Sequence, residues 1–517
     1  MMLLLLFVQA CLGLSPIVIK GSKMFDSESG DQFYMKGVAY QPRESGLHDP
    51  LNSTDCKRDA KLLKELGANT IRVYETYPWL DHTTCMQELE EKGIYVVFDL
   101  AIPEISINRE QPHYDTDIFV HFKQKVDAFS GFSNTLAFLA GNEVTNDAKT
   151  TPASAHIKAA LRDIKKYVST KSRVIPVGYA DNDDPDIRQN IQDYFNCGDD
   201  SDRADFYGIN IYSWCGKSSF KESAFDQRTN ELKDYDRPVI LSEYGCNKGK
   251  RLFDEIKSLY GKDMQDVFSG GLVYEYSQET NDYGLVEIKG SKATPLEDYG
   301  TVKTQFAGVD PKGVSMSSYT SRNKKRQCPK VEEGKWLASS KLPLTPSEAA
   351  CDCILQTLPC RVNEQGEHKD NGQAVGALVG QACGDGNCEL IESDTALGNY
   401  GPFSFCNTTV RNSIVFSQAV EKGAKCSFDG FASPVKPESS TKSTECADLP
   451  ANMKSAPLAS KPKGFTNAPK RSKYADSDDS DEVGGKNSTT SKSKKSQASP
   501  LIPSFVTLLS VAISFLF

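Results

Sequence analysis

Histidine and tryptophan are scarce, at six and three of 517 residues. The histidines are scattered without a cluster at ligand spacing, so neither a metal nor a cofactor is expected. Excess positive charge is also missing. Lys and Arg total 60 against 69 Asp and Glu, a net charge of -9, which lacks the electrostatic footprint of a nucleic-acid binder. No uninterrupted apolar run reaches the roughly 20 residues of a membrane-spanning helix. With 38% hydrophobic residues the chain is too polar for a multi-spanning protein yet sufficient for a globular core. Its length allows two to four domains, one of which could be a large barrel. Cysteine is plentiful instead: 15 residues, of which Cys11 sits in an apolar leader and leaves an even 14. Disulfides, and an oxidising compartment, are the default reading.

Both ends agree with that compartment. Met1 to Leu12 is an apolar stretch too short to span a bilayer, followed by small residues around Gly13, and reads as a signal peptide over 1–13. Leu501 to Phe517 is apolar and follows an 11-residue polar spacer, Thr490 to Pro500, and the small residues Asn487-Ser488-Thr489. That order matches a GPI signal, with Asn487 as the attachment residue, Gly485 as a competitor and 488–517 as the propeptide. A short tail-anchored helix is the alternative.

Between residues 16 and 320, eight β-branched or apolar runs alternate with helical patterns: Gln32 to Tyr40, Asn69 to Glu75, Tyr95 to Leu100, Thr135 to Val144, Arg173 to Ala180, Asp205 to Ser213, Arg237 to Gly245 and Gly270 to Ser277. Near-continuous hydrophobicity marks parallel strands buried on both faces. Repeats averaging about 31 residues have the size of a βα unit, so the fold expected is a (β/α)8 TIM barrel of the α/β class. Helices are expected over Thr54 to Leu66, capped by Thr54-Asp55, and over Asp117 to Phe129. From 328 to 448 the texture changes, with eight cysteines in the 96 residues from 351 to 446. This reads as a small disulfide-stapled module, with more than a hundred possible pairings. Residues 449–487 are rich in Ser, Lys, Pro and Asp and read as a disordered stalk. Asn52-Ser53-Thr54 and Asn407-Thr408-Thr409 are glycosylation candidates.

Two motifs at strand ends carry chemistry. Gly141-Asn142-Glu143-Val144 closes the fourth run and Ser242-Glu243-Tyr244-Gly245 the seventh. The C-terminal strand ends of such a barrel form its active face, so Glu143 and Glu243 should meet although 100 residues separate them. Paired carboxylates are the equipment of glycoside hydrolysis, one protonated to release the leaving oxygen and one ionised to attack the anomeric carbon. Asn142 is placed to hold a sugar 2-OH. Tyr74, Tyr212, Trp214, Tyr274 and Tyr276 also lie at strand ends, where aromatic faces suit the apolar C–H faces of a sugar ring.

These residues, with Lys36-Gly37-Val38-Ala39-Tyr40-Gln41-Pro42, Ile71-Arg72-Val73-Tyr74, Ser106-Ile107-Asn108-Arg109, Asn182-Asp183-Asp184 with Arg188, Asp193-Tyr194-Phe195-Asn196-Cys197, Tyr207-Gly208-Ile209-Asn210-Ile211-Tyr212-Ser213-Trp214-Cys215-Gly216 and Gly270-Gly271-Leu272-Val273-Tyr274, resemble glycoside hydrolase family 72. These are the fungal cell-wall 1,3-β-glucanosyltransferases of the Gas, Gel and Phr type. The match runs from about Pro16 through Cys446. Ala39 and the Arg43-Glu44 pair depart from the family form. The resemblance implies Glu143 as general acid/base and Glu243 as nucleophile of a retaining double displacement. It implies substrate binding by Tyr74, Asn142, Asp183, Arg188 and Tyr274, by the loop from Ala101 through Asn108 and Arg109, and by Gln41, Asp99, Tyr212 and Tyr283. The cysteine-rich module resembles a family 43 carbohydrate-binding module. By that likeness the bridges are Cys351–Cys406, Cys353–Cys446, Cys360–Cys426 and Cys383–Cys388, with Cys56–Cys85, Cys197–Cys328 and Cys215–Cys246 in the barrel. The implied partners are β-1,3-glucan donor and acceptor chains, with the protein held at the outer face of the plasma membrane and in the cell wall by a GPI anchor. The rival functions are plain endo-hydrolysis, in which water resolves the intermediate, and a non-catalytic glucan-binding adhesin, against which the intact carboxylate pair argues.

Overall fold

In the computed structural model each of the eight apolar runs forms a strand, and the strands close in chain order into a parallel barrel. The eight are Met35–Ala39, Thr70–Val73, Tyr95–Asp99, Thr135–Asn142, Val177–Asn182, Tyr207–Cys215, Val239–Cys246 and Phe268–Val273, the eighth pairing with the first. The structure describes residues 13–42, 49–52, 54–321, 323–384 and 388–437. The expected leader apart from Gly13, Arg43-Glu44, Ser53 of the first sequon, Cys446, the stalk, Gly485, Asn487 and the GPI segment lie outside them.

Strand period explains how the barrel fills. Tyr95 and Val97 point inward with Met35, Leu139 and Ile240, while Val96 and Phe98 face the helices, as the two-residue alternation of a strand requires. The interior group includes Ile17 and Met24 of a short N-terminal hairpin, Ile17–Lys20 with Lys23–Asp26. That hairpin packs with residues from the beginnings of the strands and so leaves the C-terminal strand ends for a site. Closure between the eighth and first strands depends on Gly270, at φ 93°, because a Cβ there would stand 2.1 Å from the Met35 carbonyl oxygen.

Both expected helices form, with different starts. Cys56–Leu66 begins after Asp55, which makes no side-chain cap and instead pairs with Arg58 at 3.1 Å. Thr116–Phe129 begins one residue earlier than expected because the Asp115 carboxylate accepts from Ile118 N at 3.2 Å. The eighth strand stops at Val273 rather than Ser277. Its register breaks there, although Tyr274 N still donates to Tyr244 O and Tyr276 N to Ala39 O.

Three bridges staple the barrel: Cys56–Cys85 joins two helices, Cys197–Cys328 ties in the chain that leaves the barrel, and Cys215–Cys246 clamps the ends of the sixth and seventh strands. Cys351–Cys406, Cys360–Cys426 and Cys383–Cys388 form in the module. Cys353 is also disulfide-bonded. The segment from 328 to about 345, grouped by composition with the module, lies on the barrel. Trp336 is fully buried, its indole N–H donates to Ala338 O at 2.7 Å, and its ring centroid is 5.2 Å from that of Tyr194. Composition missed this because a segment that wraps a neighbouring surface carries no periodicity of its own.

The module is built on helices Glu348–Thr357, Gly372–Gly384 and Thr408–Glu421 with a small pair of strands, Cys360–Val362 and Ala432–Pro434. It docks on the start of helix Thr116–Phe129: Thr116 N donates to Phe405 O at 3.0 Å, and Arg411 lies 3.6 Å from Asp115. Asn407 caps helix Thr408–Glu421 and donates to Asp117 at 3.3 Å, so this sequon's side chain is committed to the contact. At the other sequon, Asn52 donates to Asp81 O at 2.7 Å.

Truncating Trp336 to Ala should destabilise the barrel by about 3–5 kcal/mol, the range for emptying a buried large-aromatic site. A denaturant midpoint unchanged from wild type would show that the segment only rests on the surface. Peptide mapping of the unreduced protein should recover Cys353 linked to Cys446; Cys353 in any other linkage refutes that pairing.

Candidate active site

Glu143 follows the last residue of the fourth strand in an unusual backbone state, φ 48°, a left-handed conformation that a side-chain-bearing residue adopts at an energetic cost. Neighbours hold it there. Its N–H donates to Ala180 O at 2.9 Å on the fifth strand, and the Arg109 guanidinium donates to its carbonyl at 2.9 Å. The carboxylate accepts from Asn210 Nδ2 at 2.7 Å, and the same nitrogen reaches Asn142 Oδ1 at 3.0 Å. The Ser242 hydroxyl donates to Asn210 Oδ1 at 2.7 Å, which fixes the amide with its nitrogen toward Glu143.

Glu243, within the seventh strand, is held by more donors. Tyr74 donates to its Oε1 at 2.9 Å, Arg72 Nη1 to the same oxygen at 3.2 Å, and Tyr212 to Oε2 at 2.7 Å. Arg72 is fully buried and makes a bidentate pair with Asp99, both bonds 2.8 Å, beneath the Tyr74 ring at 4.3 Å. Burial pushes the Glu243 carboxyl above the ordinary range and Glu143 adds to the rise, while Arg72, Tyr212 and Tyr74 pull it back. Burial also opposes the Arg72 charge, but Asp99, Tyr74 and Glu243 outweigh it and hold the guanidinium protonated.

The sequence candidates gather in two adjoining cavities. A cavity of about 300 Å³ is lined by Gln41, Tyr74, Asn142, Glu143, Glu243 and Tyr274, joined by Glu275 and Glu279. A second, of about 630 Å³, is lined by Tyr74, Asp99, Asn108, Arg109 and Asn142 among others. Gln41 Oε1 accepts from the backbone N–H of Tyr74 and Glu75 at 3.1 and 3.0 Å, so it shapes the wall as well as facing the cavity. Tyr212, Tyr274 and Tyr283 pack edge to face, at 6.2, 5.7 and 5.3 Å between centroids. Tyr283, on the loop after the eighth strand, therefore belongs to the ring cluster that includes Tyr212, the partner of Glu243.

Asp183 and Arg188 stand apart from both linings. They pair with each other at 3.4 Å, and Arg228 reaches Asp183 at 3.5 Å. Two of the strand-end aromatics are core residues: Trp214 packs on Phe225, and the buried Tyr276 donates to Asp59 at 2.6 Å. Strict alternation would put residues 214 and 276 on the same face as Tyr212 and Tyr274, two positions earlier; they turn away because the strands have already lost regular register there. Arg72, Asn210, Glu275 and Glu279 were not singled out from the sequence. An arginine between Ile71 and Val73 within a buried strand was the available signal for the first.

A family model described as glucanosyltransferase matches residues 7–310, and an X8 domain model matches 358–433. The pH-responsive protein 1 of Candida albicans is 43% identical over 440 residues, covering 81% of this chain and 80% of that protein. The 1,3-beta-glucanosyltransferase GAS2 of Saccharomyces cerevisiae is 42% identical over 427 residues, covering 78% and 76%. A solved structure of the Saccharomyces cerevisiae Gas2p in complex with laminaripentaose superposes with a TM-score of 0.76 at 42% identity, covering 81% of this chain and 97% of that one.

Replacing Arg72 with Met leaves Asp99 and Glu243 buried without their cation, and removing one partner from a buried ion pair typically destabilises by about 3–5 kcal/mol. The deficit should shrink as pH falls. A carboxylate whose folded pKa lies above its unfolded value favours the folded state when protonated, and losing Arg72 raises Glu243 further. Denaturation profiles at neutral and acid pH check this; a deficit that grows on acidification would contradict it.

Proposed function

Because the chain belongs to the glucanosyltransferase family, glycoside hydrolase family 72, we propose that it is a 1,3-β-glucanosyltransferase that lengthens β-1,3-glucan by a retaining double displacement. The observation carrying this reading is the pair of carboxylates in one cavity, held by unlike sets of donors. Glu243 receives two phenol O–H groups and a guanidinium, which favour its ionised, nucleophilic form. Glu143 receives one neutral amide at its carboxylate, which suits a group that must carry a proton and then return it.

In the first half-reaction a Glu243 oxygen bonds to the anomeric carbon of a bound glucan as the bond to the bridging oxygen breaks. Glu143 gives its proton to that oxygen, and the reducing-side fragment leaves. The second half-reaction reverses the roles: Glu143 takes the proton from a hydroxyl at the non-reducing end of an acceptor glucan. That oxygen then bonds to the anomeric carbon, and the Glu243 ester breaks. Two inversions restore the β configuration, and one chain is longer.

The X8 domain is assigned a glucan-holding role. The proposal includes passage through the secretory pathway with a signal peptide over 1–13, the stalk over 449–487, and a GPI anchor at Asn487 replacing residues 488–517. The disulfides fit an oxidising compartment. Among the described residues no helix is long and apolar enough to cross a membrane, and an external anchor is compatible with that.

Incubation with one reduced β-1,3-glucan oligosaccharide, with products separated by size, tests the reading. Products longer than the donor support transfer, whereas exclusively shorter ones mean hydrolysis. Glu143→Gln should lower turnover by about 10²–10⁴-fold, the usual contribution of a general acid, and Glu243→Gln should abolish it with the fold intact. Near-normal activity in either variant removes that residue from its role. The acid limb of the pH–rate profile should follow Glu243, which acts ionised, so activity falls as pH drops through its raised pKa. Tyr212 lowers that pKa by its hydrogen bond. Tyr212→Phe should therefore move the acid limb to higher pH, and an unmoved limb would assign it to another group.

A further inference from the structure

Of the three tryptophans, Trp214 and Trp336 are buried while Trp79 is 66% exposed, the one aromatic among the exposed large hydrophobic side chains of the described residues. An indole left in water is unremarkable on a mobile tip, but the backbone around Trp79 is pinned. Leu80 N donates to Tyr77 O at 3.0 Å, closing a turn, and Tyr77 N donates to Asp49 Oδ2 at 2.7 Å. The same Asp49 oxygen meets His82 Nε2 at 2.9 Å, and Asn52 holds the Asp81 carbonyl at 2.7 Å. The Trp79 ring leans on Tyr77, with centroids 5.2 Å apart and planes at 43°.

This turn is the continuation of the second strand, which carries Arg72 and leads to Tyr74, and it leads to the larger cavity. The Tyr77 hydroxyl donates to Glu75 at 3.1 Å, and Glu75 lines that cavity. Residues of the loop from Ala101 to Glu110 form much of the rest of that cavity's wall. The turn carrying Tyr77 and Trp79 thus follows the C-terminal end of the second strand and is tied through Glu75 to the larger cavity, whose lining includes neither ring.

We propose that Trp79, backed by Tyr77, is an outlying sugar-binding platform: a pyranose of a β-1,3-glucan chain running out of the larger cavity stacks its C–H face on the exposed indole. The inference rests on the glucan reading of the same cleft and adds a dependence on chain length. An aromatic with one apolar face in water and its backbone already fixed gains by covering that face without ordering a loop. Only a chain long enough to pass out of the larger cavity reaches it, so its binding energy is available to long substrates alone.

Two measurements test the platform. With the other tryptophans buried, iodide quenching of the wild-type fluorescence reports chiefly on Trp79. Saturation with long β-1,3-glucan oligosaccharides should protect it, whereas saturation with short ones should not. Trp79→Ala should lower kcat/KM for long donors by about tenfold, the equivalent of one favourable ring contact, leave short donors unchanged, and be largely restored in Trp79→Phe. Unchanged quenching under long glucan, equal losses on all lengths, or protection that grows with protein concentration in the absence of glucan would each overturn the proposal, the last by showing a protein-contact surface. The quenching readout needs no turnover. Failure of glucan transfer in the wild-type enzyme would therefore strike the proposed reaction, whereas a length-independent Trp79 variant strikes the platform alone.

Discussion

Arg72 occupies the interior of a parallel barrel with none of its side chain in water, an environment that tolerates a cation only when its charge and hydrogen bonds are met nearby. Two carboxylates meet them, Asp99 on the adjacent third strand and Glu243 across the barrel on the seventh. The guanidinium therefore couples the position of Glu243 to strands distant from it in sequence. A second buried amine supports the arrangement: Lys125 donates to the Asp99 carbonyl at 2.7 Å, and burial pushes its pKa down to about 7. Without Arg72, Glu243 would have two phenols to stabilise its charge in a site where burial favours the neutral acid. The cation keeps the proposed nucleophile both oriented and ionisable.

Around that centre the wall is made stiff by contacts that do not face the cavity. Arg251 donates to the carbonyls of Tyr274 and Tyr283, both at 2.6 Å, so one side chain fixes two of the three rings behind Glu243. Cys215–Cys246 joins the strands that carry Tyr212 and Glu243 just beyond those residues. Asn210, oriented by Ser242, reaches from the sixth strand to Glu143. Each device ties together segments at the C-terminal ends of the strands, which is how a barrel assembles a precise site from residues remote in sequence.

The barrel was legible because its strands are buried on both faces, and runs such as Tyr95-Val96-Val97-Phe98 advertise that state without reference to partners. Glu143 and Glu243 were legible for a related reason: strand ends in a closed barrel share one face, so two polar motifs at the fourth and seventh strands had to converge. Side-chain direction past those ends was not. Tyr274 lines the cavity and Tyr276 is buried against Asp59, a difference decided by register after Val273 rather than by residue type. Asp183 and Arg188 illustrate the same limit, since a motif next to the fifth strand says nothing of whether its charges turn to the cavity or to each other. The bridges followed from family likeness, because spacing left the module's pairings open. The packing of Trp336 on the barrel was hidden by the cysteine-rich composition that follows it.

Whether a glycosyl ester on Glu243 would pass to a sugar or to water turns on what occupies the space beside it during its lifetime. Water needs no binding site, so a transferase must make the acceptor hydroxyl the better-placed nucleophile. The geometry favours this in two ways. Tyr74 and Tyr212 engage both oxygens of Glu243, fixing the carboxylate that would carry the sugar and so the direction from which its anomeric carbon can be approached, and the rings of Tyr274 and Tyr283 extend that wall. Polar groups that could order a sugar, Gln41, Asn142, Glu275 and Glu279, line the rest of the smaller cavity. An acceptor filling that cavity would displace water from beside Glu143, the group proposed to take its proton, so the same contacts that raise its local concentration would remove its competitor. Selectivity for transfer on this view is a property of the shared cavity and its tyrosine wall, and the two carboxylates, common to hydrolases and transferases alike, would not by themselves confer it.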